Sequence, residues 1–396
     1  MGLSTGFLIY RRTKFGNDNM DDLVVGSGIL GLAHAYHLAR MGRKVMVVER
    51  GVKAMGASCR NFGMVWPIGQ PVGEMEAMAM ASRAHWLNVV AEAGFWHDSA
   101  GSLHLAYHED EATVLAEYQT LLLEKSPDIA RQRELLSAKE VRRRIPRVHS
   151  HGLKSGLWSK TEVCVDPREV IWGMPAYLNK KYGVEFQFGA VGLPLNDGQW
   201  RVGPGRKVKP GRVWVCSGED FETLYPEVFA TSGLIKCKLQ MMRAQLPNSK
   251  ERLGVMMAAG LTLCHYKSFS GCASLPLLRQ RLSEELPEYE KYGIHVLVSQ
   301  QGTGEITLGD SHEYGAEIEP YDKERIHDLV LRYLATFLDL DGLIIGTRWN
   351  GVYAKHSENS YFTAAPEENV VIVNGPSGSG MTLSFGLAEK VIRETL

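Results

Sequence analysis

Two hydrophobic periods alternate along this chain, and the switches between them mark out its elements. Unbroken apolar runs at Leu23-Val24-Val25, Lys44–Val48, Val213–Val215 and Val370–Val373 predict short strands buried on both faces. Further strands are predicted at Val184–Gly189 and Trp200–Arg201, while Lys236–Leu246 and His295–Ser299 alternate as antiparallel strands do. Helical spacing covers Glu74–Ala93, with Met75, Met78, Trp86 and Val90 in one stripe that reads as core. It returns at Ile326–Leu340 and at Met381–Thr395, and charged helical segments run up to Arg144 before Ile145-Pro146. Asp166-Pro167 reads as an N-cap and first-turn proline opening a helix through Asn179. Buried-strand elements at both ends, with alternating strands between them, predict interleaved domains.

The junction after the first strand carries the strongest chemistry. Gly26-Ser27-Gly28-Ile29-Leu30-Gly31 joins that strand to a helix running to Met41, and the next strand ends in Glu49, 18 residues after Gly31. Strand, GxGxxG turn, helix and terminal acid together form a dinucleotide-binding βαβ unit. Gly26 permits the tight turn, Gly28 admits a pyrophosphate to the backbone, and Gly31 lets helix and strand approach. Glu49 would accept ribose hydroxyls.

Bulk properties remove other classes. A formal net charge of −1 leaves no basic field for nucleic acid. No apolar run approaches the ~20 residues of a membrane span. The six cysteines form no CxxC pair, and no histidines fall at ligand spacing, so no metal site is expected. A reducing, cytoplasmic setting fits. Phe7-Leu8-Ile9-Tyr10 is too short for a signal core and its basic residues follow it, so residues 1–19 are read as a disordered extension or a mis-set start. Oligomeric state is not legible.

A second strand–glycine–helix turn, Asn374-Gly375-Pro376-Ser377-Gly378-Ser379-Gly380, lies near the C-terminus. No lysine follows its last glycine, so it is not a nucleotide P-loop. A nicotinamide dehydrogenase would have no use for it, whereas a helix N-terminus stabilises negative charge on a reduced flavin.

With these turns, the loop Gly56-Ala57-Ser58-Cys59-Arg60-Asn61-Phe62-Gly63-Met64, Val165-Asp166-Pro167 and Trp349-Asn350-Gly351-Val352-Tyr353, the chain resembles the D-amino-acid oxidase superfamily, which includes glycine oxidase and sarcosine oxidase. Arg60–Met64 and Gly375–Gly378 are similar to flavoproteins that accompany phosphonate degradation. The resemblance implies an α/β fold with a Rossmann-like FAD-binding domain (20–79, 151–235 and 344–396). This would be interleaved with an α+β substrate domain on an antiparallel sheet (80–150 and 236–343). It implies FAD contacts at Gly26, Gly28, Ile29, Leu30, Gly31, Glu49, Arg50, Ala57, Ser58, Gly63, Met64, Val191, Gly378, Gly380, Met381 and Thr382. Gly351 stands where some relatives attach flavin through cysteine, and no cysteine follows Cys272, so the FAD is expected to be non-covalent.

Other departures narrow the chemistry. Tyr353 stands where relatives carry a carboxylate-binding arginine, Thr382 where sarcosine oxidase carries a lysine, and Ile306–Gly309 lacks the oxygen-activating lysine. The expected reaction is oxidation of a C–N bond in a small anionic amine by hydride transfer to flavin N5, the imine then hydrolysing. An aminophosphonate or its N-methyl derivative is the leading substrate class. An N-substituted amino acid is the alternative within the same chemistry, and a passive flavoprotein electron carrier is the alternative of another class.

Four residues are expected at the active site. Lys267 and Arg60 would bind the anion, while Tyr266 and Tyr353 would wall the cavity. Lys267 also reads as an exposed lysine beside a packed tyrosine. Arg243 is expected at a cavity or the surface, Arg348 in a structural role because alternation puts it opposite Tyr353, and Cys59 as an inert buried thiol.

Overall fold

The computed structural model describes residues 18–248 and 250–396, so the extension expected at residues 1–17 lies outside the described residues. Residues 18 and 19, assigned to that extension, belong to the first strand, Asp18–Val25.

Five parallel strands form the centre of one sheet, in the spatial order Glu185–Phe188, Val45–Glu49, Asp18–Val25, Arg206–Val215 and Val370–Asn374. Leu23, Val24, Val47, Val213 and Ile372 are wholly buried, because helices cover one face, against Val24 and Val47, and an apolar layer that includes Trp200, Val202 and Phe229 covers the other, leaving no side for polar residues. The N-terminal helix Ile29–Arg40, the C-terminal helix Gly380–Thr395 and the helix Glu74–Ala93 stack together. Phe385 meets Tyr36 and Trp86 edge-on at 5.2 and 5.1 Å, and the Trp86 indole N–H donates to the Met381 carbonyl at 2.6 Å. Strands 23–25 and 370–373, almost 350 positions apart, thus flank one strand, Arg206–Val215.

A second, nine-stranded sheet is antiparallel except where Met256–Ala258 runs parallel to Ser102–Ala106. Its longest pairing joins Leu234–Gln245 to Ile344–His356, with Cys237 opposite Tyr353 and Met241 opposite Trp349. The helix Glu324–Phe337 buries Ile326, Leu329, Val330, Tyr333, Leu334 and Phe337, the stripe its sequence predicts. No described helix is long and apolar enough to cross a membrane.

The hydrogen-bond ladders depart from the expected division at two places. Ile344–His356 and Ser155–Ser159 were grouped with the cofactor segments but pair into the nine-stranded sheet. A strand's own period of two says which face is dry but not which sheet it joins. Ser102–Ala106 and Arg133–Ser137 are strands within a stretch expected to be helical. The first is buried throughout, Ser102 and His104 included, so it shows no alternation to read.

Neutral burial of histidines makes the fold sensitive to acid. Burial lowers His34 to about 4 and His104 to about 3, from an ordinary 6.5. The unfolded chain therefore binds more protons than the native one once pH drops below 6.5, and stability falls with it. Each such group costs up to ~1.4 kcal/mol per pH unit. The melting temperature should already decline between pH 6.5 and 5, above most of the carboxylate range, and a flat profile there would contradict neutral burial.

Candidate active site

Each glycine of the first turn answers a different demand. Gly26 has φ +101°, and a Cβ there would lie 2.4 Å from the Cys216 carbonyl oxygen. A Cβ on Gly31 would sit 2.0 Å from the Gly26 carbonyl oxygen, so only glycine lets the helix lie this close to the strand. Gly28 is ordinary extended backbone at φ −65° and ψ 172°, and a Cβ there would meet only the Ser58 hydroxyl, at 3.2 Å. Its bareness therefore serves whatever occupies the cavity beside it. That same hydroxyl accepts from the Ile29 amide at 2.9 Å, tying the loop 57–64 to the helix N-terminus. The Glu49 carboxylate accepts from the Ser27 amide at 2.9 Å, the Ser27 hydroxyl at 3.1 Å and the Gly51 amide at 2.8 Å, which holds it at the strand's end.

These groups open onto one cavity of about 660 Å³. Gly26, Gly28, Ile29, Leu30, Glu49, Arg50, Ala57, Ser58, Met64 and Val191 line one part of it, and Gly378, Gly380, Met381 and Thr382 another. The second turn is shaped by its neighbours: Gly378 has φ +80°, and a Cβ there would lie 3.1 Å from the Tyr353 hydroxyl. Thr382 accepts from the Trp66 amide at 2.9 Å, and Arg50 pairs with Asp220 at 2.8 Å.

Three expectations need correction. Gly63 and Gly31 do not line the cavity. Gly63, at φ +73°, would place a Cβ 1.9 Å from the Val165 carbonyl oxygen, so it shapes the loop. Lys267 is exposed and outside the cavity, its ammonium donating to the Glu358 carbonyl at 3.1 Å. The short helical turn Lys267–Phe269 buries Ser268 and Phe269 and turns the lysine to the surface.

Tyr266, Tyr353 and Arg60 do line the cavity. Tyr266 packs so closely on Gly69 that a Cβ there would approach its ring to 2.7 Å, and burial raises both tyrosine hydroxyls above their ordinary value. Arg60 donates to the Asn350 carbonyl at 3.2 Å, and its own carbonyl accepts from the Trp349 indole at 3.1 Å. Arg243 is buried with its guanidinium 4.9 Å from the Trp349 ring centroid, and Arg348 pairs with Glu324 at 3.4 Å. Burial raises the Cys59 thiol, and among the described residues no cysteine is in a disulfide.

The feature that sequence reasoning missed is a cluster of histidines in the same cavity. His265, His295 and His312 bring ring nitrogens within 4.8 Å of one another, although no histidines fall at ligand spacing along the sequence. His295 and Asp310 exchange both backbone hydrogen bonds, at 3.3 and 2.9 Å, extending the hairpin of Leu297–Gln300 and Ile306–Gly309. His312 follows two residues later, and His265 ends the helix Gly260–His265. Register alone would not have found the cluster: the pairing of Leu297 with Gly309, carried on, sets His295 against Ser311, so a one-residue shift brings Asp310 opposite, and nothing local brings His265 to them. The cluster reaches the C-terminal turn through Tyr353, whose ring lies 6.5 Å from that of His312. His265 faces the cavity yet sits deep in the molecule. Burial holds it and His295 well below the ordinary histidine value and His312 at about 4.

Fold and cavity define an oxidoreductase built to hold a dinucleotide between two glycine turns. The sequence model of the FAD dependent oxidoreductase family matches residues 21–393, and the chain belongs to that family. Its cofactor is FAD, which the bare backbone at Gly28 and the anchored Glu49 fit. The fold is similar to L-proline dehydrogenase from P. horikoshii, with TM-score 0.73 and 20% identity over 96% of this chain and 95% of that one. It is also similar to glycine oxidase from Geobacillus kaustophilus, with TM-score 0.75 and 16% identity over 95% and 94%. A 45-residue stretch is 51% identical to the inactive all-trans-retinol 13,14-reductase of Danio rerio, spanning 11% of this chain and 7% of that protein.

Proposed function

We propose that this FAD-dependent oxidoreductase oxidises the C–N bond of a small anionic amine, an aminophosphonate or its N-methyl derivative. The observation that carries this reading is the composition of the cavity wall beyond the C-terminal turn. By the family resemblance Tyr353 stands where relatives carry a carboxylate-binding arginine, and imidazoles, Tyr266 and Arg60 line the same cavity. FAD, held without a covalent link, supplies the acceptor for the hydride leaving the carbon that bears nitrogen. The protein's part is to seat the amine: Tyr266 and Tyr353 present flat apolar walls that fix its orientation and exclude water. An N-substituted amino acid is the second reading, favoured by the likeness to L-proline dehydrogenase, since proline is a secondary amine.

Anaerobic mixing with a panel of amines tests these readings. 2-Aminoethylphosphonate and its N-methyl form should bleach the flavin faster than sarcosine, L-proline or ethylamine. Bleaching by sarcosine or L-proline alone would move the assignment to the second reading. A flavin reduced by dithionite and by none of the amines would mean a passive electron carrier. Denaturation in acid should release all the flavin into solution.

A further inference from the structure

The proposed seating of the amine by Tyr266 and Tyr353 leaves the three histidines without a role. The His265 and His295 rings stack with centroids 3.7 Å apart, and His312 lies 4.7 Å from His265 and 5.2 Å from His295. One of the three is oriented by a hydrogen bond from behind. His312 Nδ1–H donates to the Gly293 carbonyl at 2.8 Å, which leaves a lone pair on Nε2. His295 Nε2 faces the Asp310 carboxyl at 3.2 Å, and its Nδ1 is buried without a partner.

We propose that His265, His295 and His312 are the receptor for the substrate's anionic group, and that the cluster takes up a proton as the anion binds. This rests on the functional reading above for the identity of the substrate. An oxyanion needs N–H donors; each neutral imidazole has one, and that of His312 is spent on the Gly293 carbonyl, so a proton added to the cluster supplies the donor that His312 Nε2 lacks. Three imidazoles also suit a group with three oxygens better than the planar two-oxygen fork for which a guanidinium is shaped.

The surroundings favour negative charge. Lys355 lies near all three rings and is held by the Tyr314 hydroxyl at 2.8 Å. Lys267 is the next cation beyond it. Burial raises the Asp310 carboxyl well above its ordinary value, which weakens its repulsion of an anion. Tyr266 and Tyr353, the remaining titratable neighbours, stay neutral. A divalent cation would compete for the same lone pairs, and the charge of Lys355 opposes it.

The test uses FAD-loaded enzyme and ethylphosphonate, which carries the anion and no amine. Binding is followed by perturbation of flavin absorption, and proton uptake by calorimetry in two buffers of different ionisation enthalpy. Uptake should approach one proton per anion near neutral pH, with Kd rising up to about tenfold per pH unit. Propionate should bind more weakly. His265→Asn and His312→Gln should each weaken ethylphosphonate binding by roughly ten- to a hundredfold and flatten the pH dependence, with FAD content unchanged. Wild-type affinity in both variants, binding without proton uptake, or a stoichiometric metal ion needed for binding would overturn the receptor. If ethylphosphonate binds as described but no aminophosphonate bleaches the flavin, the functional reading fails and the receptor stands. If aminophosphonates bleach it with wild-type KM in both variants, the receptor fails and the reading stands.

Discussion

Gly28→Val is expected to give a folded protein that has lost its flavin. The backbone at Gly28 is in a conformation any residue adopts, and a Cβ would meet only the Ser58 hydroxyl. Folding therefore has little to lose. The branched side chain would instead fill the cavity at the N-terminus of Ile29–Arg40, where amides and the helix dipole attract a pyrophosphate. The purified variant should be colourless, with the circular dichroism of the native fold. Its melting temperature should be compared with flavin-stripped wild type, because a ligand at a thousandfold excess over Kd stabilises by about 4 kcal/mol. A yellow Gly28→Val protein would mean that the pyrophosphate lies elsewhere.

Gly31→Val should fail at the earlier step and yield little or no folded protein. Replacing glycine inside a helix would ordinarily help, since glycine costs about 1 kcal/mol against alanine there. Here a Cβ would lie 2.0 Å from the Gly26 carbonyl oxygen and 3.3 Å from Val24 Cγ1. No rotamer relieves a clash with backbone, so the helix must lift off the strand. That costs more than the ~1–3 kcal/mol of ordinary overpacking, a large part of a typical stability of about 5–15 kcal/mol. Soluble yield and melting temperature measure it. A Gly31→Val protein that melts like wild type would show that helix and strand are not packed this closely. Two glycines of one turn, three residues apart, thus separate into one that serves the ligand and one that serves the fold.

Much of the cofactor half could be read directly. The first strand, its helix, the strand ending in Glu49 and the C-terminal turn are each set by residues a few positions apart, and local rules of burial and backbone freedom suffice for them. The substrate half was read less well, for two different reasons. Lys267 was chosen for its charge beside Tyr266, but adjacent residues point apart, and the burial of Ser268 and Phe269 decided which faced inward. His265, His295 and His312 were passed over because no spacing links them; one ends a helix and the other two extend a hairpin.

By itself, the sequence determined where the chain turns, which turns must be glycine and that two of them suit one dinucleotide, since these follow from local sterics and hydrophobic period. Only the tertiary structure decided that Ile344–His356 joins the second sheet, that Lys267 faces solvent and that three distant imidazoles share the cavity. Those outcomes depend on which apolar faces meet across long sequence separations, and on the low dielectric such meetings create around the polar groups they enclose.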